Sequence, residues 1–345
     1  MSITEDTTRG RGPEAVLARN RALFEPALRA AVDELPPAVR SVAAYHFGWS
    51  DENGAPAGAD SGKAVRPVLA LLAAEAVGAE PAVALPGAVA VELVHNFSLL
   101  HDDVMDGDTT RRHRPTAWTV FGSDAAILTG NALLTLALDV LAASGNAAAQ
   151  DGLRMLSAAV LTLINGQWAD IDFERREDVG LEECVRMAEG KTSALLGCAC
   201  ALGAVLGGGG VRAERLGEFG RCFGTAFQHV DDLLGIWGRP DTTGKPVRSD
   251  LRSRKKSLPV VAALNSGTPE GRELAGLYLR NGELSEPETA RAAELIEAAG
   301  GRRWSQEQAE ALLARALEAL HAADPVPGPA EELAALARFA VRRTH

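Results

Sequence analysis

The sequence predicts an all-α protein, and three observations carry that prediction. Apolar residues recur at a 3.6-residue spacing in nearly every periodic segment, strand-like alternation is scarce, and several helix starts carry their own chemical signatures. In chain order, the periodic segments are 68–77, 86–100, 125–143, 153–169 and 309–322. Residues 194–210 form a continuous stretch of small and apolar residues that ends in four glycines and falls short of the roughly 20 residues a membrane-spanning helix needs. It reads as a buried helix stopping at Gly207, and no transmembrane segment is expected. Thr268 followed by Pro269 is an N-cap with proline at the first helical position, and Ser285 with Glu288 is a capping box. Ser305 with Gln308 reads as another, with Gly300 and Gly301 closing the helix before Trp304. Loops are expected at 48–62, 207–210, 238–257 and 324–329. Without a repeat or a biased linker, the expected organisation is a flexible tail over 1–15 and a single domain of ten or more helices over 16–345.

The chain has 345 residues, 46% hydrophobic and 23% charged, enough apolar material for a large core. Its net charge of −11 argues against nucleic acid and against a polybasic membrane surface, so an anionic ligand must be met by a local basic cluster or by metal ions. Cys184, Cys198, Cys200 and Cys222 have neither a disulfide framework nor zinc spacing and read as reduced core residues. With no signal-peptide pattern at the N-terminus, a cytoplasmic location is expected.

Chemistry concentrates in two acidic helix ends. In Asp102-Asp103-Val104-Met105-Asp106 the i, i+4 spacing puts Asp102 and Asp106 on one face, with Asp103 about 100° away. Carboxylates at a helix C-terminus oppose the helix dipole and need a compensating cation. Oxygen-only ligands with open positions suit magnesium. Gln228, Asp231 and Asp232 share a face in the same way, and two such helices facing each other could hold several magnesium ions. Arg111, Arg112 and Arg114 follow the first cluster, and Lys245, Arg252, Arg254, Lys255 and Lys256 the second, which suits a metal-bridged diphosphate. No glycine-rich Walker loop surrounds them. His101 and His229 flank the acids, but magnesium prefers oxygen, so both read as residues that support the ligands or pack around them.

These motifs resemble, from about residue 62 to 259, those of the trans-isoprenyl diphosphate synthases, the polyprenyl synthetase family, and within it geranylgeranyl diphosphate synthases more than farnesyl ones. The matching residues are Gly62-Lys63-Ala64-Val65-Arg66-Pro67, His95, the first acidic motif with Arg111 and Arg112, Gly166-Gln167 with Asp170, Gly190-Lys191-Thr192-Ser193, and Gln228, Asp231, Asp232, Lys245, Asp250 and Lys255. The resemblance implies the isoprenoid synthase fold, a single large helical bundle around a central cavity, and a homodimer. It implies that Lys63, Arg66, His95 and Arg112 hold isopentenyl diphosphate, while Arg111, Lys191, Thr192, Gln228, Lys245 and Lys255 hold an allylic diphosphate. Three magnesium ions would be bound through Asp102, Asp106 and Asp231, with Asp103 and Asp232 completing the catalytic set. The implied reaction lengthens the prenyl chain by five carbons and releases pyrophosphate.

Gly235 replaces the third aspartate of the family's second motif, Arg248 stands where glycine is usual, and Asn131 where aspartate is common. Phe97 lies five residues before Asp102, about 7.5 Å along the helix axis, where a large ring acts as a floor for the growing tail. Its neighbour Ser98 is small and the first motif lacks an insertion, a pattern that resembles twenty-carbon synthases. Two readings compete with elongation: a class I terpene cyclase of the same fold, whose serine and glutamate are missing from the second motif, and a non-catalytic subunit of a heteromeric synthase.

Overall fold

The computed structural model describes residues 12–59, 62–238, 247–280 and 284–342. Its helices are α1 (Pro13–Asp33), α2 (Pro37–His46), α3 (Val65–Ala76), α4 (Leu85–Met105), α5 (Ala117–Phe121), α6 (Ser123–Ala142), α7 (Ala149–Arg175), α8 (Leu181–Ala188), α9 (Ala194–Leu206) and α10 (Arg212–Trp237). There follow α11 (Ser249–Arg252), α12 (Leu258–Leu264), α13 (Pro269–Tyr278), α14 (Glu286–Ala298), α15 (Gly301–Ala322) and α16 (Pro327–Val341). Among the described residues the only sheet is a hairpin of β1 (Thr110–Arg111) and β2 (Arg114–Pro115). The all-α prediction holds, and each periodic segment named from the sequence lies within a helix or overruns it by one residue.

Where the sequence suggests one domain from residue 16, the packing resolves two compact units. The first is built from Met1–Ser157, Cys198–Gly217 and Leu320–Leu336, the second from Ala158–Gly197, Glu218–Ala319 and Ala337–His345. Each gathers three separated stretches, so no composition shift at a single linker could have marked them. The described chain is already helical at Pro13, inside the expected tail.

In the first unit, α4 packs on α3 and α6. Residues 67–74 of α3 are all buried, as expected for a helix apolar on every side. In the second unit, Ile236, Leu251, Val260, Leu274, Tyr278 and Ile296 form one core, and Phe173, Cys184, Met187, Leu258 and Val261 another. All four cysteines are buried and unbridged, in line with the reduced reading.

The cap at Thr268 and the capping box at Ser285 and Glu288 form as expected. The one at Ser305 does not. Helix α15 begins at Gly301, four residues earlier, so Ser305 lies inside it, buried, with its hydroxyl 3.3 Å from His229 Nδ1. Gly300, at φ +87°, makes the break, and Gly301 opens the next helix. The reading of no spanning segment considered only uncharged runs. Two stretches, Pro81–Met105 and Ser123–Ala142, are long and apolar enough to cross a membrane by length and composition. Of the apolar window, 67% is buried within the protein in the first and 33% in the second, so α4 is a core helix and α6 keeps an exposed apolar face with Leu128 at 61% exposure.

Candidate active site

Helix α4 carries the first acidic motif to its C-terminal end and buries its upstream length, leaving the acids at a rim. Asp103 is 1% exposed and accepts bonds from Arg111, whose Nη2 lies 2.6 Å and Nε 2.7 Å from Oδ1. Burial pushes the Asp103 carboxyl up while Arg111 pulls it back. Asp102 is half-buried and Asp106 exposed. The three carboxylates therefore divide: the i, i+4 pair faces outward and the middle one anchors an arginine.

Arg111 is placed by the β1–β2 turn, where Arg112 and His113 sit at φ +50° and +61°. Two consecutive left-handed residues are what a tight two-residue hairpin demands, at a cost of roughly 1–2 kcal/mol per non-glycine residue. The turn carries Arg112 against the loop before α3, where a Cβ on Gly62 would lie 2.6 Å from Arg112 Nη2. Arg66, Arg111 and Arg112 all act electrostatically on His95, and Arg112 on Arg66. Burial and these arginines hold His95 well below the usual histidine range. Arg66 Nε is buried and makes no hydrogen bond among the described residues, a donor suited to an anion. Lys63 is exposed at the start of α3.

Three residues that the motif reading did not name support this cluster. Glu92, 5% exposed, faces Arg66, and burial raises its carboxyl against the pull of that arginine. Asn96 donates to Glu92 O and Glu92 Oε1 at 2.8 and 3.1 Å, and its Oδ1 lies 3.1 Å from His46 Nε2. Burial first, then Arg111 and Arg112, lower His46 to about 3. The signal available in the sequence was a polar pair, Glu92 and Asn96, one turn apart in an otherwise apolar helix. His46 lies on α2 and had none.

In the second unit, α7 crosses the π turn Glu189–Ser193 at closest range. A Cβ on Gly166 would lie 2.3 Å from Lys191 N, which excludes a side chain there, and one on Gly190 would lie 3.0 Å from Thr162 O, which leaves little room for one. The crossing delivers Lys191 to Asp170 at 2.6 Å and Thr192, whose hydroxyl donates to Gln228 Oε1 at 2.6 Å. Gln228 Nε2 in turn donates to Asp232 Oδ1 at 2.7 Å, and Leu258 N to Asp232 Oδ2 at 2.8 Å. Asp232 is 4% exposed, and burial outweighs these donors and Lys255 to lift it to about 7. Asp231 is exposed. The outward-then-inward division of the first motif is thus repeated. Against its burial penalty, Lys255 is held well above the usual lysine range by Asp170, Asp232, Asp250 and Asp231.

Thus the first unit brings Arg66, His95, Arg111 and Arg112 together, and the second gathers Lys191, Thr192, Gln228, Asp232 and Lys255. Lys245 lies outside the described residues. Arg248 sits at φ +59°, which explains why glycine is usual there, and pairs with Glu286 at 3.3 Å. Phe97 is 6% exposed with its ring edge-on to His101, centroids 4.9 Å apart, and Ser98 Oγ donates to His95 O. His101 Nε2 lies 3.0 Å from Ile127 O, and His229 packs on Trp304, as befits packing residues. Among the described residues no three His, Cys, Asp or Glu side chains converge as a ready-made metal cage. Outward carboxylate oxygens that leave coordination positions to water and diphosphate fit magnesium, which is bound through one or two carboxylates plus substrate phosphates.

Residues 56–296 match the family model described as Polyprenyl synthetase. A (2E,6E)-farnesyl diphosphate synthase of Mycobacterium tuberculosis (strain ATCC 25618 / H37Rv) is 50% identical over 333 residues, covering 95% of this chain and 92% of that protein. A geranylgeranyl diphosphate synthase of the same strain is 43% identical over 332 residues, covering 96% and 94%. The crystal structure of polyprenyl synthetase from Streptomyces coelicolor A3(2) superposes with a TM-score of 0.91 at 53% identity, over 95% of this chain and 99% of that one. Geranylgeranyl pyrophosphate synthase from Corynebacterium glutamicum, complexed with isoprenyl diphosphate and magnesium, superposes with a TM-score of 0.77 at 26% identity, over 96% and 98%. The motif order, the all-α fold of these structures and the near full-length likeness agree: this chain belongs to the polyprenyl synthetase family of trans-isoprenyl diphosphate synthases and is a prenyltransferase.

Proposed function

We propose that the chain condenses isopentenyl diphosphate with dimethylallyl, geranyl or farnesyl diphosphate to a longer linear trans-prenyl diphosphate, releasing pyrophosphate. The observation that carries this reading is the mutually repelling pair Arg66 and Arg112 beside His95, with a buried donor on Arg66 that no described protein group meets. Such a group favours a second anionic substrate, which a cyclase acting on one allylic diphosphate does not need.

In this reading Lys63, Arg66, His95 and Arg112 hold the isopentenyl diphosphate, which keeps its diphosphate throughout. Arg111, Lys191, Thr192, Gln228, Lys245 and Lys255 hold the allylic diphosphate, and Asp102, Asp106 and Asp231 are the ligands for three magnesium ions. When bound, magnesium supplies charge stabilisation for the departing pyrophosphate. Asp103 orients Arg111, Asp170 orients Lys191, and Asp232 fixes the amide of Gln228, so the donors are set before charge develops. The isopentenyl double bond attacks the allylic carbon as its bond to the diphosphate oxygen breaks, and a proton is then lost, with pyrophosphate as the base.

The product is read as twenty carbons long, with Phe97 as the floor. A fifteen-carbon product is the second reading, favoured by the 50% identical farnesyl relative. The exposed apolar side chains of Leu128 on α6, and of Leu161 and Trp168 on α7, support a homodimer. Incubating the purified chain with magnesium, isopentenyl diphosphate and each allylic primer, then sizing the dephosphorylated products, tests the reading. A linear alcohol five or more carbons longer than the primer is expected; a cyclic hydrocarbon from a single substrate, or no turnover without a partner chain, overturns it.

A further inference from the structure

The chain after α11 reverses at Arg254, whose φ of +54° is left-handed. A non-glycine residue keeps that conformation only where its surroundings impose it, and the direction of the next residue, Lys255, depends on it. Several contacts hold the reversal. The Arg254 guanidinium donates to Arg280 O, Lys255 N donates to Asp250 O at 2.8 Å, and Cys184 Sγ donates to Lys256 O at 3.4 Å. The Lys255 carbonyl is met from α13. Tyr278, 2% exposed, packs its ring in one core with Leu251, Val260, Leu274 and Ile296, and its hydroxyl donates to Lys255 O at 2.8 Å with Asp250 O 3.5 Å away. A hydroxyl at the end of a close-packed ring is fixed as firmly as the core around it.

We propose that Tyr278 is a positioning residue for the allylic diphosphate: its hydroxyl pins the Lys255 peptide and so aims the ammonium group, acting on the substrate only through that lysine. This rests on the reading of Lys255 as a residue that holds the allylic diphosphate. Asp170, Asp231, Asp232 and Asp250 all attract that ammonium group, so a peptide free to turn would let it settle among them and away from a diphosphate. The rival role for Tyr278 is core packing, with a hydroxyl that satisfies a buried carbonyl and does nothing for the substrate.

The test is steady-state kinetics on the full chain with Tyr278→Phe, Lys255→Ala and the two combined, with thermal melting measured alongside. Tyr278→Phe keeps the ring and removes the donor. It should raise KM for the allylic diphosphate about five- to tenfold and leave KM for isopentenyl diphosphate within about twofold, because the cations proposed for that substrate belong to the first unit. In the Lys255→Ala background the same change should add less than about twofold, since a residue that acts through Lys255 then has nothing to aim. Ile296→Val, a loss from the same core, should lower the melting temperature without moving the allylic KM. An unchanged allylic KM in Tyr278→Phe, an equal rise for both substrates, full additivity with Lys255→Ala, or an equal allylic shift in Ile296→Val overturns the proposal. Failure of the underlying reading looks different: Lys255→Ala by itself would leave the allylic KM where it was, and the positioning role of Tyr278 would fall with it.

Discussion

Asp103 and Arg111 form an ion pair of 2.6 Å in which the carboxylate is almost wholly buried, while Asp102, its neighbour in the chain, stands half-exposed. Adjacent residues on a helix point about 100° apart, so one aspartate turns inward and the other outward. Asp232 and Asp231 repeat the relationship at the end of α10. One residue of each pair faces outward, and the other holds a donor in place.

The two members of a pair should therefore fail differently. Asp102→Ala is expected to lower turnover by roughly 10²–10³-fold and to change unfolding free energy by no more than about 0.5 kcal/mol. Asp103→Asn leaves Arg111 without its counter-charge and should destabilise the protein by about 1–3 kcal/mol, raising KM for the allylic substrate more than it lowers kcat. Urea unfolding paired with steady-state kinetics separates the two; a loss of stability in Asp102→Ala matching that of Asp103→Asn would contradict the division.

At the α7 crossing, Gly166→Ala puts a methyl group 2.3 Å from a backbone nitrogen that cannot swing aside. The expected cost is about 1–3 kcal/mol of stability, together with weakened allylic diphosphate binding as Lys191 and Thr192 shift from Asp170 and Gln228. Glu307→Gln, on the exposed face of α15, serves as the control and should leave both measurements unchanged.

His46 supplies a pH dependence. Burial and the arginines hold its folded-state value near 3, below that of the unfolded chain, so the folded protein binds fewer protons across the interval between them. Its contribution is complete above the unfolded value of about 6.5 and is lost as pH falls toward 3, reaching at most about 3 kcal/mol by pH 4. His46→Gln, which keeps a partner for Asn96, should flatten the stability profile between pH 6.5 and pH 4. Parallel profiles for the two proteins would show that His46 does not titrate in this way.

Phe97→Ala removes the ring that is read as the floor. Products at least one five-carbon unit longer are expected, with a stability cost of about 3–5 kcal/mol for emptying a buried aromatic site. Product sizing at matched conversion checks it, and an unchanged length would place the floor elsewhere.

Trp168 is 74% exposed and Leu128 61%. If these faces join two copies of the chain, Trp168→Glu and Leu128→Glu should shift sedimentation from dimer to monomer while each isolated chain keeps its helical content. Unaltered sedimentation in both variants would exclude these faces as the interface.

Much of the fold was legible because its cause is local. The helices at 68–77, 86–100 and 194–206 announce themselves through apolar spacing, and the starts at Thr268 and Ser285 through side chains that cap their own backbone. Ser305 shows the limit, since a serine three residues before a glutamine has the capping pattern but lies a turn inside α15, bonded to His229 instead. The acidic and basic motifs were legible by type and spacing. The support of Arg66 by Glu92, Asn96 and His46 was not, because it joins α2, α3 and α4 through contacts that have no sequence period.

Sequence alone determined which residue types stand at which intervals: the i, i+4 aspartates, the paired arginines, the glycines at 166 and 190, and the helical class of the whole chain. Tertiary structure decided which of two adjacent aspartates is buried, that Lys191 meets Asp170 where Gly166 lets the backbones cross closely, and that the Asp250 carboxylate lies against Gly235. The reason is range. Spacing and capping act within a few residues along the chain, whereas burial, close approach and charge pairing depend on segments that come together only when the core forms.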